Sequence, residues 1–300
     1  IDGYFTLKRM AAFEPTVQKI AGDLARSAVT RGEVELMNDL ALPFAVHAQC
    51  AFLGWPPHVQ KVLIDWTRRN YQATLAQDRK VMSDIAREFE GLVDEMLDAR
   101  HQADQTSEED VIASLVKEEV WGRSLSNEEI SSILRTWTVG EIGSIASSVG
   151  ILVQYLAEDL ALQKQLRADT SLLPAAIDEI LRIHGPLVAN RRVTTRPVEI
   201  GDRQIDAGER ISVNWVSANR DPRVFDEPDT FRLDRDPADN LLYGAGIHVC
   251  PGAPLARMEM RVALEELHAV TSIIELIPNN PSTNAVYPAS GFATVPVRMQ

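Results

Sequence analysis

Apolar residues recur at spacings of three and four along the first two thirds of the chain, which is the period of a helix with one buried face. The opening stretch has this pattern from Met10 to Leu24. The segment from Glu35 to Gly54 is almost uniformly apolar after its first turn and predicts a helix buried on most faces. Trp55-Pro56-Pro57 then ends that helix.

Two long amphipathic helices are predicted between His58 and His101, the first ending near Ala76. A polar loop from Ala103 to Asp110 separates them from a further helix, predicted from Val111 to Glu119. This part of the chain is therefore expected to be entirely helical.

The longest helix is predicted from Asn127 to about Ala157. Ser126 and Glu129 have the spacing of a capping box, with Ser126 as N-cap and Glu129 at the third helical position. The middle of this helix contains three glycines and several serines where alanine or leucine would favour a helix more. Such glycines indicate close approach of a flat group or a local opening of the hydrogen-bond ladder; they are Gly140, Gly143 and Gly150.

Strand patterns begin only near Val188. Short antiparallel strands are predicted over Arg191 to Ile200 and over Gln204 to Val216, with a turn between strands at Asp206 to Glu209. We therefore expect a mainly α fold with a small β region. It forms one domain over residues 1–300, helical over 1–187 and mixed over 188–300.

Composition and charge argue against several classes of partner and site. The 300 residues are 45% hydrophobic and 24% charged, as in ordinary globular proteins, and the formal net charge is −13. No basic run interleaves with aromatic residues, so nucleic acid is not an expected partner. No apolar run has membrane-spanning length and no signal-like segment opens the chain, so we expect a cytoplasmic protein without a membrane partner. Cys50 and Cys250 form no zinc or disulfide pattern.

Cys250 lies in a glycine-rich loop, flanked by Gly246, Pro251 and Gly252, just before a helix predicted from Ala253. The position before a helix N-terminus favours a thiolate, which is the form that ligates metals. A lone cysteine is also commonly a small buried hydrophobic residue. Spacing within the loop leaves both interpretations open.

The full pattern Tyr243-Gly-x-Gly-x-His248-x-Cys250-x-Gly252 resembles the haem-binding loop of the cytochromes P-450, the haem-thiolate monooxygenases. Tyr243 stands where the family usually has Phe. The resemblance implies a haem b whose iron takes Cys250 as axial ligand, with His248 near a haem propionate. It also implies cofactor-binding positions at Tyr243, Gly244 and Gly252.

Two further groups of residues match the family in order along the chain. Glu179 and Arg182 face the same side of a short helix, and the resemblance implies a structural ion network in which Arg235 is the third partner. Arg192 matches an arginine that clamps a haem propionate, since a guanidinium group fits a carboxylate. An exposed strand arginine is the alternative for Arg192.

The glycine-containing helix resembles the oxygen-activating helix of the family. Ser144 takes the place of the usual threonine, and Gly143 falls where an acid is usual. Glu141 stands one turn before Ser144, so both side chains can project from one helix face. Two readings remain open: Glu141 substitutes as a proton donor or organiser, or it is a solvated glutamate without a catalytic role.

The resemblance implies insertion of one oxygen atom of O₂ into a C–H bond of a small, largely apolar or aromatic molecule. The chain is most similar to haem domains of bacterial enzymes fused to a flavin and iron–sulfur reductase, so such a reductase, fused or separate, is the expected partner. The N-terminal part of the family's fold is expected to be absent. A peroxide-driven peroxygenase and a non-catalytic haem-binding domain or inactive fragment remain alternatives. Expected substrate-pocket residues are Leu187, Val188, Ala189 and Phe292, the last beside a turn with Gly291-Phe292-Ala293 at its tip.

Overall fold

The computed structural model describes residues 2–101, 110–287 and 289–300. The expected polar loop from Ala103 to Asp110 lies outside the described residues except for Asp110. Asp110 caps the next helix by accepting a hydrogen bond from the Ala113 backbone at 3.0 Å. The expected fold class, mainly α with small sheets, is confirmed.

Helices make up most of the described chain. Their bounds are α1 (Leu7–Arg31), α2 (Leu42–Phe52), α3 (His58–Ala76), α4 (Arg79–His101), α5 (Val111–Val116), α6 (Asn127–Glu158), α7 (Leu160–Ala168), α8 (Leu173–His184), α9 (Trp215–Ala218) and α10 (Ala253–Val270).

The strands are short and every pairing between them is antiparallel. Their bounds are β1 (Glu33–Glu35), β2 (Glu119–Val120), β3 (Arg123–Ser124), β4 (Ala189–Val193), β5 (Val198–Ile200), β6 (Arg203–Ile205), β7 (Arg210–Asn214), β8 (Ile274–Leu276), β9 (Thr283–Asn284), β10 (Phe292–Thr294) and β11 (Pro296–Met299). The order β1-β11-β8 forms a three-stranded sheet, while β2-β3, β4-β7, β5-β6 and β9-β10 are pairs.

The predicted helix from Glu35 to Gly54 is wrong at its start. Glu35 belongs to β1, and a single π-helical turn, Met37–Ala41, precedes α2. The Glu35 carboxylate accepts hydrogen bonds from the backbone N–H groups of Met37 and Asn38 at 3.1 and 2.9 Å. It therefore caps the helical segment from outside, as an acidic residue at a helix N-terminus does.

Helix α6 begins and runs as its sequence predicts. Ser126 is the N-cap, and the reciprocal hydrogen bonds with Glu129 complete the capping box. The helix is continuous through its glycines, so no opening of the ladder is observed. It packs against α2, α4, α8 and α10 and thus forms the centre of the core.

The β region differs from expectation in three places. Trp215 and Val216 begin α9 instead of ending a strand, because the Asn214 side chain accepts from the Ser217 backbone and caps a short helix. Phe292 lies in β10 and not at a turn tip. The strands β1, β2 and β3 lie in the part of the sequence that shows little strand pattern, and β1 finds its partner only at the far end of the chain.

Helix α6 is long and apolar enough to cross a membrane by length and composition alone. However, 67% of its most apolar window is buried inside the protein, as in the core helix of a soluble fold.

Candidate functional site

A cavity of about 360 Å³ lies between α6, the loop before α10 and the N-terminal turns of α10. Residues from far apart in the sequence meet there. Of the expected site residues, the cavity wall includes Glu141, Ser144, Leu187, Arg192, Tyr243, Gly244, His248, Cys250 and Gly252.

The cysteine loop is held by its own backbone. The Cys250 N–H donates to the Tyr243 carbonyl at 2.8 Å, which closes the loop. Gly244 and Gly246 have φ values of +75° and +70°, which side-chain-bearing residues rarely adopt. Gly252 instead has φ −80° and is the N-cap residue of α10. The loop therefore presents the cysteine at the start of a helix, as the sequence predicts.

Two backbone N–H groups, of Gly252 and Ala253, lie close enough to the Cys250 sulfur to lower the pKa of its thiol. Cys250 is exposed at the cavity wall, but the surrounding protein is close enough that burial raises the pKa of its thiol, and the two N–H groups only partly oppose this. The N–H groups at the start of α10 thus act in the expected direction, toward the thiolate, while burial opposes them. A bound cation would supply the missing stabilisation, because a coordinating thiol is deprotonated by its metal.

Cys50 provides the contrast. It is fully buried in α2, and burial raises the pKa of its thiol to about 12. This is the behaviour of a small core residue, in agreement with its sequence context.

Tyr243 forms part of the cavity wall beneath the loop. The Arg257 guanidinium lies 4.2 Å from the Tyr243 ring centroid and is itself held by Asp178 at 3.1 Å. The Tyr243 hydroxyl is buried without a hydrogen-bond partner among the described residues, and burial raises its pKa. Tyrosine therefore occupies the position where the family usually has phenylalanine, and its buried hydroxyl makes no hydrogen bond to the described residues.

The donor set of the cavity fits the expected haem. Cys250 offers a thiolate ligand with two N–H groups aimed at the sulfur. Arg192, which is exposed on β4, has no acidic side chain within ion-pair distance among the described residues and donates only to the Arg191 carbonyl at 2.9 Å. Arg192 and His248 on one cavity can receive the propionates of a bound porphyrin.

The expected ion network is assembled behind the cavity. The Arg182 Nε and Nη2 groups donate to the two Glu179 oxygens at 2.7 and 2.9 Å, and the Arg235 Nε donates to Glu179 Oε1 at 3.0 Å. Arg182 also donates to the Asn219 carbonyl at 2.6 Å. With 5% and 1% of their surfaces exposed, Glu179 and Arg182 tie α8 to the segment that leads into the cysteine loop.

Glu141 and Ser144 both line the cavity from α6. Ser144 Oγ donates to the Gly140 carbonyl and lies 3.3 Å from the Glu141 carbonyl, so its hydroxyl is engaged by its own helix. Glu141 Oε1 is buried without a conventional partner among the described residues, which argues against a solvated glutamate. Its carboxyl contacts that of Glu259 on α10.

Sequence reasoning did not identify Glu259. It occupies an apolar-stripe position of α10, four residues after Leu255 and three before Val262, and is fully buried. A single acid inside an otherwise apolar helix face was the available signal.

The expected substrate-pocket residues do not all line the same cavity. Leu187 lines the main cavity, and Val188 lines a second cavity beside Arg220. Ala189 and Phe292 are not among the residues that line either cavity. An aromatic wall formed by Phe5, Phe52 and Trp137, in mutual ring contact, lines the main cavity and was not expected from the sequence.

Comparison with known proteins gives consistent results. The family model described as "Cytochrome P450" matches residues 58–267. The cyclomarin C epoxidase CymV of Salinispora arenicola is 32% identical over 274 residues, which are 91% of this chain and 69% of that protein.

Solved structures share the architecture. The crystal structure of CYP109E1 from Bacillus megaterium in complex with testosterone superimposes with a TM-score of 0.89 at 26% identity, covering 99% of this chain and 81% of that one. CYP109Q5 from Chondromyces apiculatus gives a TM-score of 0.89 at 29% identity, covering 99% and 74%.

Proposed function

Because the chain belongs to the cytochrome P450 family, we propose that it inserts one oxygen atom of O₂ into a C–H bond of a small, largely apolar or aromatic molecule, by hydroxylation or O-dealkylation. Members of this family are oxidoreductases that bind haem b through a cysteine thiolate. The observation that carries the proposal is the position of Cys250. Its sulfur lies on the same cavity as Glu141 and Ser144 of α6.

The chain's own residues divide the work of holding the cofactor. Cys250 would ligate the iron, with the N–H groups of Gly252 and Ala253 directed at its sulfur. Arg192 and His248 would bind the propionates, and the Tyr243 ring and Gly252 would contact the cofactor from the cavity wall. When bound, the thiolate-ligated haem supplies the activation of O₂ that amino acid side chains cannot.

The lining of the cavity supports an apolar or aromatic substrate. Phe5, Phe52, Trp137, Ile145 and Leu187 contribute rings and aliphatic side chains, with few polar groups between them. Apolar walls with a small number of placed polar groups are typical of sites for small organic molecules. One relative is described as a cyclomarin C epoxidase, and another was solved in complex with testosterone.

Proton delivery is assigned to Glu141. Ser144 Oγ donates to backbone carbonyls of its own helix, and Gly143 carries no acid. A carboxyl in an apolar environment has a raised pKa, and burial raises the pKa of Glu141. Such a group takes up a proton more readily than an exposed glutamate and can deliver it to the site, as a general acid does.

Electrons come from a reductase with flavin and iron–sulfur centres, either fused to this domain or separate. The net charge of −13 gives no support to a nucleic acid partner. We infer action in the cytoplasm, where a nicotinamide-dependent reductase operates.

A peroxide-driven peroxygenase is the second candidate. It is favoured by Gly143, which leaves the position of the usual acid without a carboxyl group. Turnover with H₂O₂ in the absence of any reductase would identify it. Turnover that requires a reductase and O₂ would identify the monooxygenase.

The deciding experiment is the absorption spectrum of the reduced protein under carbon monoxide. We expect the long-wavelength Soret band of a thiolate-ligated haem. A band typical of histidine ligation would contradict the assignment of Cys250. Failure to bind haem would mean that the chain is not catalytic in this form.

A further inference from the structure

Two acidic side chains meet in the interior between the two helices that flank the site. Glu141 belongs to α6 and Glu259 to α10, and these helices pack directly against each other. Glu259 has none of its surface exposed. A buried charge of this kind requires a partner.

Among the described residues, the only partner for the carboxyl group of Glu259 is that of Glu141, and the same is true in reverse. The carboxyl groups of Glu141 and Glu259 lie within hydrogen-bonding reach of each other. Neither oxygen of Glu259 has a conventional donor among the described residues, and neither does Glu141 Oε1. Ionised carboxylates only accept hydrogen bonds, so two of them in contact require a proton between them.

The surroundings of the two carboxyl groups determine which of them holds that proton. Burial, and then the charge of Glu141, raises the pKa of Glu259 well above its ordinary value. Burial also raises the pKa of Glu141, but the hydrogen bond with Glu259 lowers it. Glu259 is fully buried, whereas Glu141 is only partly buried and lines the cavity. Because the charged form is less favourable at the more buried site, Glu259 holds the proton and donates it to the Glu141 carboxylate.

We propose that Glu259 is a positioning residue of the site: its protonated carboxyl donates to Glu141 and fixes the Glu141 side chain at the cavity wall. This inference rests on the proposed role of Glu141 in proton delivery. It links α10, which begins three residues after Cys250, to α6, which carries Ser144.

The consequence is a defined direction for Glu141. The contact with Glu259 limits the rotamers that the Glu141 side chain can adopt at the cavity wall. The other titratable group that senses the pair is the Cys250 thiol, whose pKa the charge of Glu141 raises.

The test is infrared difference spectroscopy of the haem-loaded protein at neutral pH, in H₂O and D₂O, comparing the parent with Glu259→Gln and Glu141→Gln. A protonated carboxyl has a carbonyl band distinct from carboxylate bands. We expect Glu259→Gln to abolish one such band and Glu141→Gln to shift it, since Glu259 then keeps its proton but donates to a neutral amide oxygen instead of a carboxylate. Glu266→Gln, on the same helix, is the matched control and should leave the band unchanged.

A band that survives Glu259→Gln unchanged, or one that is abolished by Glu141→Gln instead, would overturn the proposal. Coupling of reducing equivalents to product supplies the second measurement. We expect Glu259→Leu to lower it about 10-fold, as loss of an outer-shell partner does, and Glu259→Gln, which still donates to Glu141, to lower it less. The infrared band is measured without turnover. If Glu141→Gln keeps the band and also shows normal coupling, Glu141 does not deliver the proton, but the conclusion that Glu259 is protonated still holds.

Discussion

Arg182 and Glu179 form a two-pronged ion pair from which solvent is almost excluded, with N···O distances of 2.7 and 2.9 Å. The pair closes over the Phe225 ring, which lies 4.9 Å from the Arg182 guanidinium. Arg235 adds a second cation on the same carboxylate at 3.0 Å. Helix α8 is therefore joined to the segment before the cysteine loop by charge and not only by apolar contact.

Removing one member of this ion network should lower the free energy of unfolding. Glu179→Gln leaves two guanidinium groups without their shared carboxylate, and loss of one partner of a buried pair costs about 3–5 kcal/mol. The free energy of unfolding, measured by urea titration, should fall by that amount. Arg135→Gln, which breaks an exposed pair with Glu90 on the surface, should change it little; equal losses in the two variants would show that burial does not matter here.

The two cysteines should respond differently to substitution. Cys250→Ala should abolish the thiolate-type band of the reduced carbon monoxide complex, because the sulfur is lost from the cavity. Cys50→Ala should retain the band, since Cys50 is buried in α2 away from the cavity wall. Loss of the band in both variants would point to unfolding as its cause, and circular dichroism of each variant separates that case.

Glu141→Gln should uncouple oxygen consumption from product formation. An amide of the same shape cannot deliver a proton, and general acid catalysis contributes about 10²-fold or more. The measurement is product formed per O₂ consumed, with released peroxide counted in parallel. Glu128→Gln, on the exposed first turn of α6, is the control; unchanged coupling in Glu141→Gln would mean that Glu141 has no role in proton delivery.

The acid pair should make stability depend on pH. The folded protein raises the pKa of Glu259 and Glu141 above 4.5, so it retains a proton that the unfolded chain has released. This contribution is fully present below about pH 4.5, and it is lost as pH rises through the folded-state values. The double variant Glu141→Gln, Glu259→Gln should therefore show a flatter decline in unfolding free energy above pH 5. Parallel curves for parent and variant would mean that both acids are ionised in the folded state.

His268 should have the opposite effect. Burial, assisted by the charge of Arg167, lowers the pKa of His268 to about 4, from 6.5 in its ordinary state. The unfolded chain then binds the extra proton first, so stability is present above pH 6.5 and is lost as pH falls toward 4. His268→Gln should be less sensitive to acid across this range in thermal unfolding. The exposed His58→Gln serves as the control, and an identical acid response in His268→Gln would contradict the prediction.

Features encoded within one turn of helix were predictable from the sequence. The capping box of Ser126 and Glu129 depends on neighbours three residues apart, and the structure contains it as expected. Glu179 and Arg182 are likewise one turn apart, and their third partner, Arg235, could be named only because the resemblance supplied it. The loop around Cys250 was likewise identified as a haem-binding loop through the family resemblance.

Features that depend on contacts between distant segments were not predictable. Glu35 was expected to begin a helix but lies in β1, because its strand partner, Pro296, stands at the other end of the chain. The meeting of Glu141 and Glu259 depends on how α6 crosses α10, which periodicity does not specify. At Cys250 burial raises the pKa of the thiol, which no local pattern shows, whereas the N–H groups at the start of α10 lower it, as the sequence predicts.

The sheet that joins β1 to β11 has a consequence for synthesis. Glu33 pairs with Arg298, so β1 remains without its partner until almost the whole segment has left the ribosome. At 5–20 residues per second this delay is on the order of 10–50 s. During that time β1 exposes unpaired backbone groups, and a ribosome-bound nascent chain stalled before Pro296 should be a preferred client of chaperones that recognise extended segments.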